Sequence, residues 1–329
     1  MTSSGVTDTH DEARVSGPGV VTGRYGTIGQ VFYVATDFWP LNTTLFVKDF
    51  KGNDPLFVSY LLRTVDFASY SGKSGVPGVN RNDLHGLSVS IPSPTEQRTI
   101  AASLSGVDAL IGALDKLIAK KRGMKLGAMQ QLLTGKSRLP GFQAKWPDAV
   151  LGSVLQFQVG FPFSSGYFNT QQSGRRLVKN RDLKTDDELV YYTGPYDDQF
   201  LVKNGDLLVG MDGEFLPCLW NKGVALLTQR IGRIIPTDGF DPIFGFYFLR
   251  KPLKQIENAT SSTTVKHLSH SAIERITVAL PSIEEQRAIG LVLSDMDAEV
   301  AALERRRDKT KAIKQGMTQE LLTGRTRLV

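Results

Sequence analysis

An internal repeat constrains this sequence more than any other feature. The segment IPSPTEQRTIAASLSGVDALIGAL, which begins at Ile91, matches LPSIEEQRAIGLVLSDMDAEVAAL, which begins at Leu280. The offset of 189 residues holds without a gap as far as LLTGKSRL and LLTGRTRL, and upstream Gly23 matches Gly210 at an offset of 187. The chain therefore contains two copies of one unit, each a globular part followed by a helical arm.

The two copies are unequal at their start. In the second copy 64 residues separate Trp146 from Gly210, whereas only 22 residues precede Gly23 in the first. We therefore expect an incomplete first globular domain in residues 1–92, of which 1–18 are polar and predicted to be disordered or loosely held. The first arm then covers residues 93–140, a complete second domain covers 141–281, and the second arm covers 282–329.

Each arm has the end signals of a long helix. Ser93 as N-cap, a proline at the first helical position and Glu96 at the third form a capping box. Ser282 and Glu285 repeat the box in the second arm. Each apolar stripe continues to a glycine suited to end the helix. The arms are thus predicted to be helices of about 41 residues, roughly 60 Å long at 1.5 Å per residue.

Apolar residues recur along both arms at alternating spacings of four and three, which defines a coiled-coil seam. The seam comprises Ile100, Leu104, Val107, Ile111 and Leu114 in the first arm and Ile289, Leu293, Met296, Val300 and Leu303 in the second. After a polar interruption at Lys121 and Thr310, we expect the seam to resume with Met124, Ala128 and Leu132 and their partners Ile313, Met317 and Leu321. Because a globular domain separates the arms, an antiparallel pair within one chain is favoured, and pairing of each arm with another molecule is the alternative.

The globular parts predict mixed recognition modules of the α+β class. The ranges 28–34, 207–211 and 225–235 are β-branched and bounded by turn residues, as strands are. The ranges 58–62 and 244–249 are aromatic-rich and favour short buried helices.

Three polar stretches are candidates for DNA contact. Arginine, lysine and asparagine alternate with apolar residues from 175 to 181, and two hydroxyl-rich loops occupy 71–76 and 260–267; such side chains contact phosphates and base edges. The candidate residues are Arg175, Arg176, Lys179, Asn180, Arg181, Lys73, Ser74, Ser262, Thr263, Thr264, Lys266 and His267. A charged edge strand and plain solvated loops are the alternatives.

Other classes of protein fit poorly. No apolar run reaches the roughly 18 residues of a membrane span, and the N-terminus lacks a secretory signal, so we expect a cytoplasmic protein. The single cysteine, Cys218, excludes an internal disulfide and a cysteine zinc site, and the pair His267 and His270 lacks a third metal ligand with suggestive spacing. No methyltransferase, helicase or nuclease motif set is recognisable, so the chain is predicted to be non-catalytic.

Two unequal modules, each ending in an EQR segment, a long helix and LLTG, resemble the specificity subunit of type I restriction-modification systems. The resemblance implies two target-recognition domains, each reading half of a bipartite site in double-stranded DNA, joined by an antiparallel coiled coil that docks methyltransferase subunits. Those subunits recruit restriction subunits, and the complex uses S-adenosylmethionine, ATP and Mg²⁺, none of them bound by this chain. A decoy or recombination-donor copy, which binds the methyltransferase without specific DNA recognition, is the alternative function.

The net charge of +6 is concentrated in the arms. Residues 93–140 carry eight lysines and arginines against three acids, and equivalent cations recur in the second arm. This basic patch comprises Lys116, Lys120, Arg122, Lys125, Arg305, Lys309, Lys311 and Lys314. It is predicted to face DNA between the half-sites or an acidic surface of the partner, with a solvated helix face as the alternative.

Overall fold

The structure is a computed structural model that describes residues 1–70, 78–259 and 267–328. Two compact units divide the chain, one of residues 1–118 with 303–329 and one of residues 119–302. Each unit holds one globular domain together with parts of both long helices. The fold is α+β, as predicted.

The domain of the first unit is built on a three-stranded antiparallel sheet in the order β2-β1-β3. Its elements are β1 (Gly19–Gly23), β2 (Val31–Val34), β3 (Thr44–Phe46), α1 (Pro55–Leu62) and α2 (Arg81–His85), followed by the first long helix, α3 (Pro94–Leu132). Residues 1–18, predicted to be disordered or loosely held, contact this domain at both ends. The Met1 amino group donates to the Trp39 carbonyl at 2.8 Å, and Val15 pairs with Phe38, while residues 6–14 are exposed.

The domain of the second unit contains more strands. Its elements are β4 (Asp148–Val150), β5 (Leu155–Val159), β6 (Phe168–Asn169), β7 (Arg175–Val178), β8 (Tyr191–Tyr192), β9 (Leu201–Val202), β10 (Leu207–Gly210), β11 (Pro217–Leu219), β12 (Ala225–Leu227), β13 (Ile231–Pro236), α4 (Pro242–Phe248), α5 (Arg250–Ala259), α6 (His270–Glu274) and β14 (Thr277–Ala279), followed by the second long helix, α7 (Ile283–Leu322). They form sheets in the orders β11-β10-β13-β5, β6-β8-β7-β12-β9 and β14-β4. The predicted strand 225–235 is therefore two strands in different sheets, separated by a turn at residues 228–230.

The repeat is visible in the strand pairing. Val21 pairs with Phe46 in the first domain, and Leu208 pairs with Arg233 in the second, both pairs differing by the same 187 residues. The bridge between Val15 and Phe38 likewise corresponds to the pairing of β9 with β12. Strands β5 to β8 have no counterpart among the described residues of the first domain, which accounts for its smaller sheet.

Each domain is fastened to its own long helix by a glutamine. Asp54 and Asp241 cap α1 and α4, with a proline following in both helices. The Asp54 amide donates to Gln97 Oε1 at 2.8 Å, and the Asp241 amide donates to Gln286 Oε1 at 3.0 Å. Since both glutamines are buried, these bonds satisfy polar groups that water does not reach.

The glutamate beside each glutamine binds an arginine in the segment that follows the other long helix. Arg138 donates two bonds of 2.6 Å to Glu285, which also accepts from the Trp146 indole at 3.0 Å. Arg327 makes the equivalent fork with Glu96. The predicted capping boxes are therefore only half formed: the serine hydroxyl accepts from the glutamate amide, but the carboxylate binds arginine instead of the N-cap amide.

Ion pairs show that the two long helices run antiparallel within each unit. The pairs are Asp108–Lys314 and Asp115–Arg307 in the first unit, and Lys121–Glu299 and Lys125–Asp297 in the second. In both units the residue number falls along one helix as it rises along the other. The arms thus pair within the chain, as the fold prediction requires.

All ten residues of the predicted seam are buried or half-buried, but its continuation differs from the prediction. Met124 and Ile313 are each 50% exposed, whereas Leu132 and Leu321 are buried, as predicted. The spacing of four and three passes instead through Lys121 and Lys125, and Thr310 is buried. Acids on the opposite helix neutralise the lysines, so polar residues can occupy seam positions where sequence periodicity favoured apolar ones.

Candidate nucleic-acid interface

Five segments of the second domain meet where the strands of its two larger sheets end. They are residues 160–161, 179–180, 211–212, 227–231 and 267–268. Gly160 donates to the Ile231 carbonyl at 3.1 Å, and Phe161 donates to the Leu227 carbonyl at 2.9 Å. A Cβ at Gly160 would lie 2.2 Å from the Thr228 carbonyl oxygen, so only glycine permits this approach. The turn between β12 and β13 is thereby held against the end of β5.

Asp212 is the polar centre of this meeting point. Its carboxylate accepts from Arg230 Nη1 at 2.9 Å and lies 2.9 Å from His267 Nδ1. Its backbone carbonyl accepts from the side-chain amide of Asn180 at 2.6 Å. The Asp212 side chain is 16% exposed, whereas Arg230 and His267 are 68% and 60% exposed. Asp212 therefore orients two exposed nitrogen-bearing groups, which can donate to phosphate or to base edges.

We call this region the strand-end surface. It comprises Phe161, Lys179, Asn180, Asp212, Arg230 and His267. Phe161 is 43% exposed, and its ring packs against Phe163 and Phe200 with centroid distances of 5.2 Å. Exposed cationic and aromatic side chains are the residue types that nucleic-acid surfaces use.

The structure places the candidate DNA contacts between residues 175 and 181 in different surroundings. Strand β7 lies in the middle of its five-stranded sheet, so the alternative of a charged edge strand is wrong. Arg176 stacks on Trp220, with 5.0 Å between the guanidinium carbon and the ring centroid, and pairs with Asp186. Arg181 pairs with Glu188.

Arg175 and Lys179 contact aromatic side chains. Arg175 is exposed and donates to the Tyr196 hydroxyl at 3.2 Å, and Lys179 is half-buried with its ammonium 5.7 Å from the Phe168 ring centroid. The turn that follows them is held by the buried Asp182, which accepts from the Lys179 amide at 2.8 Å. Burial raises the pKa of the Asp182 carboxyl.

The described residues that follow the two predicted polar loops occupy equivalent positions in the two domains. Lys73, Ser74, Ser262, Thr263, Thr264 and Lys266 lie outside the described residues. The first described residue after each loop is Gly78 or His267, and these pair with Tyr25 and Asp212 at equivalent positions of the repeat. The chain therefore resumes after the two loops at equivalent corners of the two domains, and the DNA contacts of the loop residues stay predictions.

The corner of the first domain carries different chemistry. Tyr25, Thr43 and Gly78 stand where the second domain has Asp212, Arg230 and His267. Arg24 stacks on Tyr25 with 4.9 Å between the guanidinium carbon and the ring centroid. Sequence reasoning missed Asp212 and Arg230 because neither belongs to a cluster of cations. Their signal was a charged residue in one copy aligned with a neutral one in the other.

The predicted basic patch separates into two groups. Lys125 and Lys314 are half-buried in the seam and bind Asp297 and Asp108. Their charges are therefore committed within the chain. The remaining six residues are exposed: Lys116, Lys120, Arg122, Arg305, Lys309 and Lys311.

The described residues were also compared with the requirements of a metal site and of a membrane span. Within residues 1–70, 78–259 and 267–328 no group of three or more histidine, cysteine or acidic side chains could hold a metal ion. Across the same ranges no helix combines the length and the apolar character needed to cross a bilayer.

Comparison with known structures shows the same fold. The crystal structure of the type I restriction-modification S subunit from M. genitalium aligns with a TM-score of 0.65, covering 95% of this chain and 84% of that one at 15% identity. A structure from work on complex assembly and conformational transition of the type I R-M system aligns with a TM-score of 0.55. The alignment covers 94% of this chain and 83% of that one at 19% identity.

Sequence comparison identifies the family. The EcoBI specificity subunit of Escherichia coli is 33% identical over 185 residues, 55% of this chain and 39% of that protein. The MjaVIII specificity subunit of Methanocaldococcus jannaschii is 25% identical over 300 residues, 83% of this chain and 70% of that protein. The pattern of the type I restriction modification DNA specificity domain matches residues 1–120 and 151–314. This chain therefore belongs to the family of type I restriction-modification DNA specificity domains.

Proposed function

We propose that the chain is the DNA-specificity subunit of a type I restriction-modification complex and that the strand-end surface of its second domain reads one half of the DNA site. The observation that carries this is the Asp212 centre, which presents Arg230 and His267 at the base of a hydroxyl-rich loop. The first domain, with tyrosine, threonine and glycine at these positions, contributes less to recognition.

In this proposal the chain itself is non-catalytic. Methyltransferase subunits dock on the long helices and bring S-adenosylmethionine, and restriction subunits join through them and use ATP and Mg²⁺. The cytoplasm is the compartment where these partners and the DNA meet.

Mapping methylated bases tests the proposal. The full chain is combined with the methyltransferase subunit of its own system and a random-sequence DNA library. We expect one well-defined half-site, which the Arg230→Gln substitution weakens about tenfold, because one bidentate arginine contact discriminates by about 1–3 kcal/mol. The Arg24→Gln variant is the matched control, since Arg24 lies beside the equivalent corner of the first domain.

The salt dependence of binding then separates two roles for Arg230. Loss of a phosphate contact lowers the slope of log affinity against log salt by about one and leaves the sequence preference unchanged. Loss of a base contact changes the preferred sequence instead. Two equally defined half-sites, or an Arg24→Gln effect equal to that of Arg230→Gln, would contradict the assignment, and binding of the methyltransferase without any methylation would favour the decoy function.

A further inference from the structure

The first residues of the chain occupy, in the first domain, the place where β7 ends in the second. Val178, the last residue of β7, pairs in parallel with Leu227. The Met1 amino group donates to the Trp39 carbonyl at 2.8 Å, and the Met1 carbonyl accepts from the Leu41 amide at 2.9 Å. Trp39 and Leu41 flank the counterpart of Leu227 at the offset of 187. Met1 therefore stands at the position of Val178, although the first domain has no strand there.

The turn that follows is also repeated. The Gly5 amide donates to the Thr2 carbonyl at 3.1 Å. In the second domain the Asp182 amide donates to the Lys179 carbonyl at 2.9 Å. The second bond of the turn differs, because the Thr2 amide donates to the Gly5 carbonyl, whereas the Lys179 amide donates to the Asp182 carboxylate, both at 2.8 Å. Residues 2–5, which we call the N-terminal turn, thus form the same turn without an acidic side chain.

The side chain in the middle of each turn lies against an equivalent glycine. A Cβ at Gly210 would lie 2.1 Å from Oδ1 of Asn180. A Cβ at Gly23, the counterpart of Gly210 in the repeat, would lie 3.1 Å from the Ser3 Cβ. Ser3 is therefore the counterpart of Asn180, a residue that belongs to the strand-end surface of the second domain.

The N-terminal turn offers hydroxyl groups where the second domain offers an ammonium and a carboxamide. Thr2 stands in the place of Lys179, and Ser3 in the place of Asn180. A hydroxyl both donates and accepts, so it does not distinguish bases as the bidentate amide of asparagine does. Hydroxyls do donate to phosphate oxygens. The chemistry of the turn therefore suits the DNA backbone better than the base edges.

We propose that the N-terminal turn binds a phosphate of the DNA backbone, so that the first domain holds DNA without reading its sequence. Thr2, Ser3 and Ser4 supply three consecutive hydroxyls, of which the last is exposed and the others are half-buried. None of residues 1–5 carries an acidic side chain that would repel a phosphate. The inference rests on the proposed function, because the second domain fixes the DNA through its half-site.

A gain of binding tests the inference. Thr2→Lys gives the first domain the residue that the second domain has at this position, and both bonds of the N-terminal turn use backbone atoms that the substitution leaves in place. The full chain is combined with the methyltransferase subunit of its own system, and its affinity for a duplex containing the methylated half-site is measured at several salt concentrations. The slope of log affinity against log salt should steepen by about 0.9, as for one added phosphate contact.

Thr36→Lys is the matched control. Thr36 is exposed and follows Val34, which pairs with Gly19 at the end of the sheet opposite the N-terminal turn. The same charge at this position should leave the salt slope unchanged. Because Thr2→Lys has to gain binding, a misfolded variant cannot imitate the expected result.

A loss of binding provides the second test. Ser3→Asp places a carboxylate where the phosphate is proposed to lie, and should weaken binding about tenfold through repulsion between like charges. The loss should be equal for every base sequence beside the half-site, and the methylated half-site itself should stay the same. Thr36→Asp adds the same charge at the opposite end of the sheet and should bind like the unaltered chain.

Three results would overturn the inference. The first is a salt slope of Thr2→Lys equal to that of Thr36→Lys. The second is a loss in Ser3→Asp that depends on the bases beside the half-site, since the first domain would then read sequence. The third is a defined half-site to which all variants bind like the unaltered chain, which would leave the proposed function intact. If the unaltered complex defines no half-site, the proposed function fails and this inference fails with it.

Discussion

The two copies of the repeat are alike where they meet the long helices and unlike where they face outward. Glu96 and Arg327 form the same forked ion pair as Glu285 and Arg138, and a buried glutamine fastens each domain to its own long helix. At the corner of the sheets, by contrast, a charged centre around Asp212 replaces Tyr25. The contacts that assemble the subunit are thus shared by the copies, whereas the surfaces available for recognition differ.

The largest expected effect tests the shared part. Phe57 and Phe244 occupy equivalent positions and are both fully buried against the long helices. Replacing either by alanine should destabilise the protein by about 4 kcal/mol, since each change leaves a cavity in a packed core. Chemical denaturation of the two variants measures this, and a difference of more than about 2 kcal/mol would show that the copies are not equivalent in packing.

The Glu–Arg pairs should differ in strength. Glu285 also accepts from the buried Trp146 indole, and Arg138 is 22% exposed, whereas Arg327 is 60% exposed. Glu285→Ala should destabilise by about 3 kcal/mol, because it leaves buried donors unpaired. Glu96→Ala is the matched variant and should lower the Tm less. An equal loss of Tm would mean that the exposure of the arginine does not decide the strength of the pair.

Two tyrosine–aspartate bonds should be alike. Tyr60 donates to Asp108 at 2.8 Å, and Tyr247 donates to Asp297 at 2.6 Å. Replacing either tyrosine by phenylalanine should cost about 1.5–3 kcal/mol in denaturant unfolding, as for a hydrogen bond to a charged group. Unequal losses would distinguish the copies at this contact.

The same tyrosines predict a dependence on alkaline pH. Burial, the hydrogen bond and the charge of Asp108 raise the pKa of Tyr60 to about 12 from a usual 10.0, and the pKa of Tyr247 is raised for the same reasons. Because the folded state holds these protons more tightly than the unfolded chain does, their stabilising contribution is complete below pH 10 and is lost as the pH rises through about 12. Unfolding measured from pH 9 to 12 should show this loss, and the double phenylalanine variant should lack it.

The smallest effect concerns α3 alone. Gly123→Ala should stabilise the isolated chain by about 0.5–1 kcal/mol, because a Cβ there meets no other atom and alanine favours the helix. Gly316→Ala in α7, where a Cβ also meets open space, is the control and should stabilise equally. A destabilising Gly123→Ala substitution would show that the isolated helix already needs the glycine.

Sequence reasoning recovered the features that are periodic or repeated. The spacing of apolar residues located the long helices to within a few residues, and Gly135 and Gly324 adopt the positive φ angles expected after helix ends. It wrongly placed Met124 and Ile313 in the seam, because hydrophobic periodicity does not detect a lysine whose charge is neutralised by an acid on the opposite helix. It also missed Arg230, whose partner Asp212 is 18 residues away.

The amino-acid sequence alone determined that the chain is a duplicated unit with two long helices. Helix signals lie within short segments, and a repeat is found by comparing the sequence with itself, so neither depends on tertiary contacts. Only the tertiary structure decided which charges are available. The sequence predicts Lys125 and Arg176 as surface cations, yet Lys125 lies in the seam and Arg176 packs against the Trp220 ring. The physical reason is that the opposite charges that neutralise a side chain are brought to it by folding, and the order of residues in the sequence does not show which they are.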